Sequence, residues 1–168
     1  MNEPVPIRIT KVEPIAPALR GAVFGDCGNI SSACERSERI QYESMNHAFR
    51  LTGGFLSTDE VAQRLRRVVD QPISRLARWI VSRSVISISW RAQTLMPAFQ
   101  FQLAEMSIRP CFASVLLELR DVFDNWELAL WFAAPNAWLD YAAPVTIMPD
   151  DALAVMQAAR TDRFIALG

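Results

Sequence analysis

The sequence predicts a mainly α-helical protein with a small β-hairpin: a winged helix-turn-helix-like unit followed by a C-terminal helical lobe. Three observations predict this class. Apolar residues recur at helical spacing in the middle of the chain and again beyond Pro110. Two capping-box signatures, Ser57 with Glu60 and Asp124 with Glu127, mark helix starts. Between the helical stretches, VISISW (residues 85–90) alternates apolar and polar residues, as a half-buried strand does.

The first fifty-odd residues carry the weakest pattern. Pro4, Pro6, Pro14 and Pro17 interrupt regular structure, and Gly21, Gly25 and Gly28 follow closely. Residues 34–49 read as a short polar helix with few apolar positions, ended by Gly53-Gly54. Residues 1–54 are therefore expected to be a flexible arm. Regular order is expected from Ser57. Val61, Ala62 and Leu65 line one helical face, with Arg64, Arg66 and Arg67 elsewhere around it. VVDQ makes a short connection, and Pro72 suits the first turn of a second helix. In that helix Ile73, Leu76, Ala77 and Ile80 point towards a core, and Arg75 and Arg78 point away. RAQT is a turn after the first strand, and LMPAFQF (residues 95–101) is the returning strand, with Pro97 at a bulge or an edge. Helix, turn, helix and hairpin within residues 55–109 follow the order of a small winged-helix unit.

Residues 110–168 are helical again. Phe112, Val115, Leu116, Leu119, Val122 and Phe123 fall on one stripe. WELALWFAA is apolar nearly all round, so it is expected to be buried, and Pro135 closes it. The last helix begins near Asp150-Asp151, with acids at its positive end and Arg160 and Arg163 near its negative end. Between them lies the aromatic, proline-bounded stretch WFAAPNAWLDYAAPVTIMP.

Composition narrows the function. The chain has 168 residues, 51% of them hydrophobic, which suffices for a core of ordinary size. No apolar run reaches the roughly 20 residues needed to span a bilayer, and the N-terminus lacks the basic-then-apolar order of a secretory signal. A cytoplasmic protein is expected. Three cysteines, Cys27, Cys34 and Cys111, form no CxxC pair and are read as reduced thiols. Cys27, Cys34 and His47 match no zinc spacing, so no metal and no cofactor is expected. The net charge of −1 hides an uneven distribution. Residues 50–109 carry nine arginines against four acids, and residues 110–168 three arginines against eight acids. A basic middle beside an acidic end suggests two surfaces with different partners.

No enzyme constellation is present. The one histidine, His47, sits in the expected arm, and there is neither a GxGxxG nor a GxxxxGK loop. A helix-turn-helix with outward arginines can instead place its second helix in a DNA major groove while a β-wing meets the backbone. Ser74, Arg75, Arg78 and Arg83 are the candidate DNA-binding residues. The plainer alternative is that these arginines form a solvated helix face. Trp79 and Trp90 are read as packing residues rather than base-stacking ones.

The run from Asn125 to Phe164 resembles the C-terminal toxin-binding domain of the Xre/MbcA/ParS antitoxin family. The residues that carry the likeness are Trp131, Pro135-Asn136, Leu139 and Pro144, then Asp150, Asp151, Leu153 and Val155. Upstream, MPAFQF (Met96 to Phe101) is similar to the family's aromatic-Gln strand, often P-x-F-Q-F. Family members usually have a glycine after the leucine, where this chain has Asp140-Tyr141. The resemblance implies a type II antitoxin, a non-enzyme that inhibits a cognate toxin, often of the NAD-consuming RES class, and represses its own operon. It makes Asn136, Trp138, Asp140, Tyr141, Arg160, Arg163 and Phe164 the candidate toxin-binding residues. Its implied partners are the toxin and operator DNA, bound by a homodimer. A stand-alone DNA-binding regulator without a toxin is the alternative.

Overall fold

The computed structural model describes residues 27–168. The flexible character expected of residues 1–26 lies outside that range. Among the described residues the chain is mainly helical, with short antiparallel strands. Helix α1 (Cys27–Phe49) leads into strand β1 (Phe55–Ser57), helix α2 (Thr58–Leu65) and helix α3 (Pro72–Val81). A hairpin of β2 (Ile88–Trp90) and β3 (Gln93–Pro97) follows, then a second, minimal hairpin of β4 (Phe101–Gln102) and β5 (Ser107–Ile108). The rest is helical: α4 (Pro110–Leu119), α5 (Asn125–Ala133), α6 (Pro144–Ile147) and α7 (Ala152–Leu167).

Both capping boxes form. Ser57 Oγ accepts from the Glu60 amide while the Glu60 carboxylate accepts from the Ser57 amide, and Asp124 with Glu127 repeats the exchange. Pro72, Pro110 and Pro144 each occupy a first helical turn, where the missing N–H costs nothing.

Residues 27–54 depart from the expected flexible arm. Met45 and Phe49 are fully buried in the larger core. Tyr42 stacks between Phe55 at 5.6 Å and Trp90 at 4.3 Å, and the Trp126 indole N–H donates to Gln41 Oε1 at 2.7 Å. A few aromatic contacts thus anchor a helix whose other surface is polar, and polarity is what the sequence displayed. Gly53 has φ +104, and a Cβ there would lie 2.9 Å from Ala98 Cβ, so only glycine fits this turn.

The sheet order β1-β3-β2 makes β3 the centre and separates two apolar cores. The smaller core draws on residues 56–108: Leu56, Val61, Ala62, Leu65 and Leu76 meet Val85, Met96 and Phe101. The larger takes Met45, Phe49, Ile86, Ile88 and Phe99 together with α4–α7. Leu95 and Met96 therefore face opposite cores, as alternation along a strand requires.

Two expectations about this region change. LMPAFQF is not one continuous strand, because β3 stops at Pro97 and a 3-10 turn spans Ala98–Gln100. In a strand Phe99 and Phe101 would share a face; the turn sends Phe99 to the larger core and Phe101 to the smaller. Pro97 lies past the end of the β2 ladder, which pairs only Gln93 to Leu95, so no bond to β2 is lost there. The apolar face of α3 is also rotated: Leu76 is buried and Trp79 and Ile80 pack beside it, whereas Ile73 and Ala77 are exposed. Trp79 stacks on Phe101 at 5.8 Å, and that contact sets the rotation.

Gln100 holds the two cores together. It is fully buried, and its side-chain amide acts as a peptide group: Ile86 N–H donates to Oε1 at 2.8 Å, and Nε2 donates to Ile86 O at 3.0 Å. Gln100→Leu is expected to lower stability by about 2–4 kcal/mol, since it leaves both Ile86 backbone groups buried without partners. Urea denaturation checks this, and Gln100→Glu should cost more, because a carboxylate cannot donate to Ile86 O.

Candidate functional site

The candidate DNA-binding set divides. Ser74, Arg75 and Arg78 are exposed on the outer surface of α3, with Arg66 and Arg67 at the end of α2. None of these arginines forms an ion pair among the described residues. The Arg75 guanidinium lies 5.7 Å from the centre of the Trp79 ring, a cation–π contact that steadies it. Exposed Ile73 and Val81 flank the basic residues on the same helix.

Arg83 does not belong to this surface. It follows the end of α3 with φ +50, and Ser84 N–H to Trp79 O with Arg83 N–H to Ile80 O closes the helix as a Schellman motif. From there its guanidinium donates to Arg120 O at 2.6 Å and Phe123 O at 2.7 Å. Arg120 caps the C-terminus of α4, where a cation is favoured by the helix dipole, and Phe123 lies in the connection to α5. Arg83 therefore fastens the α3 terminus to α4 instead of facing outwards.

The C-terminal candidates also divide, by their positions around α7. Asp162 continues the inward stripe of Val155, Ala158 and Ala159 at helical spacing, and three neutral donors converge on its carboxylate. Trp131 Nε1–H reaches Oδ2 at 2.7 Å, Asn136 Nδ2 reaches Oδ2 at 2.8 Å, and Trp138 Nε1–H reaches Oδ1 at 2.9 Å. Asn136 is only 8% exposed, and its Oδ1 accepts from Trp138 N–H at 2.8 Å. Its backbone carbonyl takes the amides of Leu139 and Tyr141, and its own amide donates to Ala142 O. Asn136 is thus the organiser of the Pro135–Pro144 loop, and Trp138, 56% exposed, is what that loop presents.

Asp140 and Tyr141 follow with φ +52 and +62. This is the left-handed conformation that glycine takes without strain, and each non-glycine residue there costs on the order of 1–3 kcal/mol. The Asp140-Tyr141 pair stands where the resembled family has glycine. Tyr141 is 68% exposed, so its ring contributes little to the core in return.

Arg160, Arg163 and Phe164 lie on the other side of α7. Arg160 Nε and Arg163 Nη1 each meet the Glu118 carboxylate of α4 at 3.1 Å, which locks the two helices together. Phe164 is 77% exposed on the same flank. The seven candidates are therefore two groups: Asn136, Trp138, Asp140 and Tyr141 with the loop, and Arg160, Arg163 and Phe164 with α4.

Asp162 escaped the sequence reading. The signal was available: an acid at the inward position of the last helix, with two tryptophans and an asparagine as possible donors a short distance upstream. Beside it opens a groove of about 400 Å³, lined by Phe123, Glu127, Leu130, Trp131, Pro135, Trp138 and Asp162. Cys34 and His47 lie on one helix thirteen residues apart, roughly 20 Å along its axis, too far to share a metal ion. The Cys27 side chain lies outside the described residues. No protein-family model, no curated protein and no solved structure matches the chain.

Two outcomes follow from this geometry. Tyr141→Gly is expected to melt no lower than the parent, because relief of left-handed strain offsets glycine's larger unfolded-state entropy. Glu118 is held below the usual carboxylate range, first by its hydrogen bond to Arg160 and then by Arg163. A carboxyl lowered on folding contributes stability above its ordinary pKa, and that contribution is lost as pH falls through the lowered value. Thermal melts should therefore show an acid-side loss below about pH 4.5 that Glu118→Gln reduces. The effect should also shrink in high salt, because both arginines are largely exposed.

Proposed function

We propose that this chain is an antitoxin-type regulator. Its C-terminal lobe covers the active site of a toxin, and its α2–α3 unit binds operator DNA. The single observation that carries the reading is the Asp162-centred assembly, which fixes an exposed loop of Trp138, Asp140 and Tyr141 on a rigid helical base. Residues built into a lobe in this way, with aromatic bulk facing out, suit recognition of another protein. The likeness of this segment to the antitoxin family's toxin-binding domain points the same way. So does the left-handed backbone at Asp140-Tyr141, in the place where that family carries glycine.

DNA binding is supported by the element order. Helix, turn, helix and hairpin, with β1 added to the hairpin, follow the plan of a winged helix, and Arg75 and Arg78 lie on its second helix. The protein acts as a non-enzymatic inhibitor in the cytoplasm and binds its two-fold operator as a homodimer. Among the described residues no helix is long and apolar enough to cross a membrane. The same α3 surface would serve a stand-alone regulator, so the partner decides between the readings.

Deleting everything after Ala134 would strip Val145, Val155 and Ala158 from the core, so exposed positions make the sharper test. In cells co-expressing the product of the adjacent gene, the parent chain should rescue growth and copurify with that product. Tyr141→Gly combined with Phe164→Ser should lose rescue while the protein stays folded. Arg75→Ala with Arg78→Ala should keep rescue but release the promoter. Rescue that persists in the Tyr141/Phe164 variant removes both the loop and the Phe164 flank of α7 from inhibition.

A further inference from the structure

The groove beside Asp162 has a chemistry that its packing role does not exhaust. A carboxylate offers about four acceptor positions, and the indoles of Trp131 and Trp138 and the amide of Asn136 fill three. All three donors are neutral, so the negative charge of Asp162 stays uncompensated and one acceptor position on Oδ1 is left over. Glu127, a second acidic residue, also lines the groove. Its capping bond to the Asp124 amide likewise brings no cation.

The nearby basic residues are committed elsewhere. Arg160 and Arg163 turn to Glu118 on the opposite flank of α7. Arg83 reaches the Phe123 end of the groove but donates both of its bonds to backbone carbonyls. The remaining wall is apolar or aromatic: Phe123, Leu130, Trp131 and Trp138. Two carboxylates set among aromatic rings suit a cation carried on an aliphatic stem, which the rings cover while the acids take the charge.

We infer that this groove receives an arginine or lysine side chain from an apolar segment of a partner protein. The inference rests on the reading of the C-terminal lobe as a protein-binding lobe, and it names the chemistry of the contact. Charge complementarity selects the occupant: a neutral apolar segment would leave two carboxylates covered and unpaired, a cost that a guanidinium or ammonium removes.

The test uses the full chain labelled with ¹⁵N, whose five tryptophans each give one indole N–H signal. The probe is the peptide acetyl-Leu-Arg-Leu-amide, compared with its citrulline counterpart, which has nearly the same shape and no charge. Titration to about 10 mM should move the Trp131 and Trp138 signals, with the citrulline peptide binding about tenfold more weakly. Asp162→Asn is expected to abolish the response but also disturbs the loop. Glu127→Gln keeps the capping box and should weaken binding severalfold in a folded protein. Equal binding of the citrulline peptide, unmoved Trp131 and Trp138 signals, or full binding by Glu127→Gln would each overturn the inference. Movement of the same two signals on raising protein concentration alone would also overturn it, in favour of a second copy of the chain. No toxin enters this titration, so a failed growth rescue and an empty groove are distinguishable results.

Discussion

Everything in this fold hangs on one side-chain amide reaching across a buried seam. Gln100 pairs with the backbone of Ile86 where no strand continues; Phe99 and Phe101 on either side of Gln100 go to different cores, as do Val85 and Ile86. Val85 and Phe101 enter the small core under α2 and α3, while Ile86 and Phe99 enter the large core beneath α4 and α5. An apolar residue at position 100 would fill the space but orphan two backbone groups. A charged one would bring an uncompensated ion into the centre. The amide satisfies both backbone groups at once, so the two helical bodies can share one sheet.

Much of this architecture was legible, and the reasons it was legible are local. Capping boxes at Ser57 and Asp124, Pro72 at a first helical turn and the stripe from Phe112 to Phe123 are short-range signals; the helices start where they say, though α4 stops at Leu119, short of Val122 and Phe123. What escaped depends on contacts far apart in the chain. α1 looks like a polar segment because a few residues, Gln41, Tyr42, Met45 and Phe49 among them, fix it, and partners such as Phe55, Trp90, Phe99 and Trp126 lie far along the chain. α3 turns its Leu76–Trp79 side inwards because Phe101 waits there, which periodicity alone could not reveal against the rival stripe of Ile73 and Ala77. The candidate site shows the same division. Trp138 and Tyr141 enter through the family resemblance and stand exposed on the loop, whereas the partners of Arg83 and Asp162 lie more than twenty positions away, beyond the reach of local pattern.

Charge is distributed to match. The exposed arginines of α2 and α3 carry the basic character of the middle of the chain, while Glu127 and Asp162 place acidic character inside a cleft of the terminal lobe. The clasp of Glu118 with Arg160 and Arg163 spends the lobe's few cations on holding α7 to α4. A near-neutral total thus consists of two fields of opposite sign on separate elements, which under the proposed function would steer DNA and toxin to different faces.

The convergence of Trp131, Asn136 and Trp138 on one carboxylate also governs how the loop can move. Donors from before and after the Pro135 bend end on a single residue of α7, so the loop can change shape only by breaking hydrogen bonds to that residue. Its conformational entropy is surrendered when the chain folds, not when a partner arrives. Under the proposed reading, a partner would meet a surface already set, and discrimination would fall to shape and charge more than to adaptability.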